Sequence, residues 1–128
     1  TGDLSQPDVP ARLVADAMAA LGGLDILVAN ASVQIRKPWA EVTQAEAEQQ
    51  MQVNFHATLR MIQAAVPGMR AKKCGRILTI GSVQQQRPHP DMVVYAASKS
   101  AQENLVRNRV CKMAPKISFT VPFRTILP

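Results

Sequence analysis

The sequence predicts an α/β protein built on a parallel sheet, and two observations carry that reading. Segments with apolar residues at helical spacing alternate with short apolar runs. The first such run, Leu24-Asp25-Ile26-Leu27-Val28-Ala29-Asn30, suits a strand buried in a parallel sheet. At 128 residues the chain is long enough for one domain with a core. Its 47% apolar and 19% charged residues place it with ordinary globular proteins.

Residues 1–5 open abruptly, with Asp3 where a strand end is expected. After Asp8-Val9-Pro10, a helix is predicted from Val14, Ala17, Met18 and Leu21, and Gly22-Gly23 stops it. The strand over 24–30 follows, then a loop with Pro38 and Trp39. Thr43-Gln44-Ala45-Glu46 is a capping box, each end satisfying an orphan backbone donor of the other. From there a helix runs through Met51, Phe55, Leu59, Ile62 and Val66 to about residue 69. Lys72-Lys73 suits the negative end of its dipole. A second strand spans 75–81, and residues 84–91, with Pro88, His89 and Pro90, read as a loop lining a pocket. The last helix is predicted over 95–114, with an apolar face through Ala101, Leu105, Val106, Val110 and Met113 that Arg109 interrupts, and Pro115 ending it. Residues 117–121 make a third strand.

The chemistry gathers at Ile77-Leu78-Thr79-Ile80-Gly81-Ser82 and Tyr95-Ala96-Ala97-Ser98-Lys99. Positions i and i+4 of a helix lie one above the other, so Tyr95 and Lys99 share a face. At about 4 Å and an effective dielectric of about 20, an ammonium attracts a phenolate by about 4 kcal/mol. A phenol so favoured passes a proton to or from an alcohol or carbonyl oxygen. Ser82, at a strand end, is placed to hydrogen-bond the same oxygen. Asn54 stands beside an apolar helical line and reads equally as a core amide satisfied by backbone.

Taken together, these residues resemble the short-chain dehydrogenase/reductase family, whose site combines a serine, Tyr-x-x-x-Lys and an upstream asparagine. Val53-Asn54-Phe55-His56-Ala57 is similar to the asparagine motif, Leu27-Val28-Ala29-Asn30-Ala31-Ser32 to the Asn-Asn-Ala-Gly segment, and Gly2-Asp3-Leu4 to the aspartate motif. The five motifs keep the family's order across residues 2–99. The resemblance implies one partial Rossmann-like domain over residues 1–128, the central-to-C-terminal part of a doubly wound parallel sheet. It implies hydride transfer between NAD or NADP and a secondary alcohol or ketone. Tyr95 would be the general acid/base, and Lys99 would favour its deprotonated form and hold the nicotinamide ribose. Ser82 would orient the substrate oxygen, while Asn54 would loosen its helix and hold a water relaying protons to Lys99. Asp3 and Leu4 would meet adenine, and Asn30 with Ala31 would flank the adenosine ribose.

Two departures bear on function. The glycines stand at 2, 22, 23, 68, 75 and 81, and none forms the glycine-rich turn whose amides hold a cofactor pyrophosphate. On the family template the first three strands are missing, which leaves the 24–30 strand with an open apolar edge. From Arg109 onward the pattern also differs, as a truncation or shifted reading frame would produce. Residues 115–123 keep the hydrophobicity but lack the expected glycine, asparagine and Pro-Gly. Little or no activity is expected from these residues alone. The competing reading is a catalytically silent fragment, or an interaction module dimerising through the helices over 43–70 and 95–113. In family members those helices commonly form the subunit interface, so a complete protein would be a homo-oligomer.

Other classes find little support. The net charge of +6 is uneven, with eleven Lys/Arg and two acids from residue 61 onward. With five aromatics and no basic stripe at helical spacing, a solvated basic face is expected and a nucleic-acid partner is not. No apolar run approaches the roughly 18 residues of a membrane span, and no signal peptide opens the chain. Cys74 and Cys111 fit no metal or redox spacing, and His89 has no second ligand at useful spacing, so a cytoplasmic, metal-free protein is expected. The sequon Asn30-Ala31-Ser32 is then coincidental, and His56 is expected to pack rather than react.

Overall fold

A computed structural model describes residues 1–87, 89–107, 117–120 and 123–124. Helix α1 (Val9–Leu21) takes Pro10 into its first turn, where a missing N–H breaks no helical bond. It stops at Gly22, whose φ of +72° is a left-handed conformation that glycine adopts without a Cβ penalty. Strand β1 (Ile26–Ala29) is shorter than the predicted 24–30. Helix α2 (Gln44–Met51) starts on the predicted capping box, with both reciprocal bonds formed between Thr43 and Glu46. It passes into a π-helical turn over Gln52–His56 and continues as α3 (Ala57–Ala71). Lys72 caps α3, and its ammonium pairs with Asp25 at 3.3 Å.

The predicted second strand divides into β2 (Gly75–Thr79) and β3 (Gly81–Ser82). Helix α4 (Val93–Arg107) begins two residues earlier than predicted. The predicted continuation through Arg109, Val110 and Met113 to Pro115 lies outside the described residues. Strand β4 (Ile117–Thr120) matches the predicted third strand, and β5 (Phe123–Arg124) pairs in parallel with β3.

The main sheet is parallel in the order β1-β2-β4, with Leu27 beside Ile77 and Ile77 beside Phe119. Each crossover steps the same way along the sheet. Right-handed connections then return every helix to one face. On that face Val14 of α1, Leu27, Ile77, and Ile62, Ala65 and Met69 of α3 form the core, with Leu105 of α4 packed against it. Fully burying Ile62 and Ile77 is worth about 1.5–3 kcal/mol each.

From sequence, β1 suits a strand buried in a parallel sheet, with an open apolar edge on the family template. Its residues alternate: Leu27 and Ala29 are buried, while Ile26 and Val28 are 57% and 53% exposed. Among the described residues no helix covers that second face, and β1 is the edge of its sheet. No helix among them is long and apolar enough to cross a membrane.

Candidate active site

The parallel ladder decides where the site forms. Ala29 lies beside Thr79, and the Ile80 amide extends the ladder to the Ala29 carbonyl at 3.2 Å. The chain therefore leaves both strands at the same end of the sheet. Crevices beyond the carboxyl ends of parallel strands are where open α/β sheets bind ligands. Here that crevice is a cavity of about 460 Å³. It is lined by Asn30, Ser32 and Gln34 after β1, by residues 80–84 after β2, and by Met92, Tyr95 and Lys99.

Two buried amides shape one side of it. Asn54 accepts the Val33 N–H at Oδ1 (2.8 Å) and donates from Nδ2 to the Val33 carbonyl (2.9 Å). Gln50, four residues earlier, accepts the Ile35 N–H at 3.2 Å. The segment carrying Ser32 and Gln34 is thus held by a helix more than a dozen residues downstream. Asn54 also donates to the Ser98 hydroxyl at 2.9 Å, and Ser98 donates to the Tyr95 carbonyl at 2.8 Å. Asn54 is thus a core amide satisfied by backbone, as one reading had it, and it also ties the loop to the Tyr95 turn.

The helix carrying Asn54 takes a π-helical turn over Gln52–His56. The Ala57 amide reaches back to the Gln52 carbonyl, one residue further than in an α-helix. Two side chains donate to the Asn54 carbonyl, Thr58 Oγ1 at 3.2 Å and Gln102 Nε2 at 3.1 Å. A carbonyl has two lone pairs, and both are engaged.

Lys99 is 2% exposed, and its Nζ donates to the Ile80 carbonyl (2.8 Å) and to Gln102 Oε1 (3.3 Å). It sits 6.0 Å from the centroid of the Tyr95 ring. Burial disfavours its charge and pushes the ammonium down to about 8. Ser82 Oγ accepts the Gln84 N–H at 3.3 Å, while the Ser82 N–H meets Gln85 Oε1, so the serine caps a short turn at the cavity floor. Its O–H proton remains free to donate into the cavity.

Of the residues singled out from sequence, the cavity gathers Asn30, Ser82, Tyr95 and Lys99. Asn54 stands behind it, fully buried, and Ala31 is exposed next to Asn30. Asp3 and Leu4 lie elsewhere, on the turn before α1. The exposed Asp3 carboxylate accepts the Ser5 N–H (2.9 Å) and hydroxyl (2.8 Å), which hold it below the usual carboxylate range. The expected pocket loop is corrected. Only Gln84 of the described residues between 84 and 89 lines the cavity, because Gln85 turns to Ser82 and Glu103. His89 caps the turn Pro90–Met92 by accepting the Asp91 N–H at 3.1 Å. His56 is exposed and meets Phe55 edge-on at 5.3 Å.

Sequence reasoning missed Ser98, Gln102, Thr58 and Gln50, all buried and all polar. On α4, Val106 is buried and Leu105 packs on the core as expected, but the buried line also carries Tyr95, Ser98, Lys99 and Gln102, while Ala101 is only half-buried. The signal was present, since Ser98 and Gln102 stand three and seven residues from Tyr95, on the face already assigned to chemistry. A wider hollow of about 650 Å³ lies between residues 5–7 and the α2 region. It is lined by Glu48, Gln52 and His56 among others. Among the described residues no group of three or more His, Cys, Asp or Glu is placed to hold a metal ion.

The short chain dehydrogenase family matches residues 1–122. A glucose 1-dehydrogenase of Gluconobacter oxydans is 35% identical over 121 residues, covering 91% of this chain and 44% of its own. Dehydrogenase/reductase SDR family member 4 of Sus scrofa is 36% identical over 109 residues, covering 82% and 38%. A 3-oxoacyl (acyl-carrier-protein) reductase of Agrobacterium tumefaciens, solved with NADP bound, superposes with a TM-score of 0.86 at 37% identity, over 95% of this chain and 48% of that one. The chain spans less than half the length of each of these relatives. With its Rossmann-like parallel sheet and a family match covering nearly all of its length, the chain belongs to the short chain dehydrogenase family.

Proposed function

We propose that the cavity is the proton-transfer half of an NAD(P)-dependent dehydrogenase site acting on a secondary alcohol or ketone. The observation that carries this is the convergence of Ser82, Tyr95 and Lys99 on one cavity at the carboxyl ends of parallel strands. Tyr95 exchanges a proton with the substrate oxygen, Ser82 donates a hydrogen bond to that oxygen, and Lys99 keeps a positive charge beside the phenol. Asn54 contributes by fixing Val33 and the Tyr95 turn.

The residues present fit the nicotinamide end of NAD or NADP, because the buried Lys99 ammonium lines the same cavity as Tyr95 and Ser82 and its N–H groups suit ribose hydroxyls. A bound nicotinamide supplies or accepts the hydride. Asp3 and Leu4 are assigned to the adenine end, with Asn30 and Ala31 beside the adenosine ribose, on the resemblance. No glycine-rich turn is present to hold the pyrophosphate. Each charge-assisted hydrogen bond lost there weakens binding by about 1.5–3 kcal/mol, so these residues alone turn over little or nothing.

A sugar or polyol suits the cavity best, because Asn30, Ser32, Gln34, Ser82 and Gln84 give it a polar lining. The glucose 1-dehydrogenase named above supports the same choice. A cytoplasmic protein assembling as a homo-oligomer through α2–α3 and α4 completes the reading. Amide chemical-shift mapping with millimolar NADH detects weak binding and tests it. Shifts are expected at Asn30, Ser82, Tyr95 and Lys99. Shifts confined to other surfaces, or none with soluble self-association, would favour the silent interaction module.

A further inference from the structure

We propose that Gln102 is a positioning residue for Lys99, a side-chain strut that sets the direction of the ammonium by bracing it against the carbonyl of Asn54. This rests on the assignment of Lys99 to the dehydrogenase site. Gln102 is 1% exposed and bonded at both ends of its amide. The Asn54 carbonyl can only accept, so the Gln102 nitrogen must face it, and the same nitrogen donates to Thr58 Oγ1 at 2.9 Å. That choice leaves Gln102 Oε1 facing Lys99 Nζ at 3.3 Å.

An ammonium has three donors. The Ile80 carbonyl takes one and Gln102 takes a second. Among the described residues the third has no partner, and Lys99 lines the cavity, so two fixed acceptors aim the remaining N–H into it. A neutral amide neither gains nor loses a proton near neutrality. The strut therefore orients the charge without conducting protons between Asn54 and Lys99. Tyr95 is the titratable side chain sharing the cavity with Lys99. On the elements around it, His56 is exposed, Asp91 pairs with Arg36 at 3.6 Å, and Glu103 is taken by Gln85 and Arg107.

The test follows the titration of Lys99 by NMR of its ε-methylene in the full chain, with the signal identified by its loss in Lys99→Met. Gln102→Met removes the acceptor at similar size and is expected to lower the proton affinity of Lys99 about tenfold. Gln102→Glu sets a carboxylate in the same place and is expected to raise it at least tenfold. Lys37 and Lys72 are to titrate unchanged in both. A folded Gln102→Met chain whose Lys99 titrates as in the unsubstituted protein overturns the proposal. If that variant does not fold, an unmoved Lys99 in Gln102→Glu overturns it instead. No cofactor enters these measurements. Failed NADH mapping with a moved Lys99 would count against the dehydrogenase reading and leave the strut standing.

Discussion

Lys99 shows how one buried residue is tuned. Its four-residue spacing from Tyr95 was legible, because helical geometry alone puts the two on one face. The distance to the ring and the partners of the ammonium were not, because Ile80 and Gln102 reach it through the fold. Burial lowers its pKa from 10.5 to about 8, so between those values the unfolded chain binds more protons than the folded one. Stability from this group therefore rises with pH across that window, and the full penalty is present below it. The stability of the protein relative to Lys99→Met is expected to increase on the order of 2 kcal/mol between pH 8 and 10.5, allowing for residual solvent screening. Urea unfolding of both proteins at a series of pH values checks this. A constant difference would mean that the ammonium is not desolvated in the folded state.

At the scale of elements, local chemistry predicted most starts and stops. Gly22 ended α1 and the Thr43 box began α2, because both act through backbone groups within a few residues. The π-helical turn was not legible as geometry; only the resemblance hinted at a loosened helix near Asn54. Within that turn the Asn54 carbonyl accepts from Thr58 and Gln102, one turn and one helix away, contacts that hold the turn in place. Thr43→Ala removes the acceptor for the Glu46 amide and is expected to cost about 0.5–2 kcal/mol. Thermal unfolding measures the loss. Because the box anchors the helix that clamps Val33 and Ile35, amide exchange in that segment should accelerate with it.

For the whole molecule, what matters most is that the helices among the described residues cover one face of the sheet. A parallel sheet normally hides both faces. Here Ile26 and Val28 of the edge strand stand more than half exposed. An apolar edge of this kind recruits other chains. Val28→Lys is expected to reduce concentration-dependent association, as light scattering would show, with the unfolding midpoint little changed. A variant that associates as strongly as the parent would place the contact elsewhere. Within the basic region from residue 61 onward, Lys72 pairs with Asp25 and Arg107 with Glu103.

What the sequence by itself determined was whatever depends on neighbours along the chain: the alternation of helices and strands, the capping box, and the shared face of Tyr95 and Lys99. Those features rest on spacings of three or four residues, which backbone geometry converts directly into proximity. Only the tertiary structure decided that Asn54 grips Val33 across 21 residues, and that Gln102 reaches its carbonyl across 48. Contacts at such separations depend on the path of every intervening element, and no local spacing encodes them.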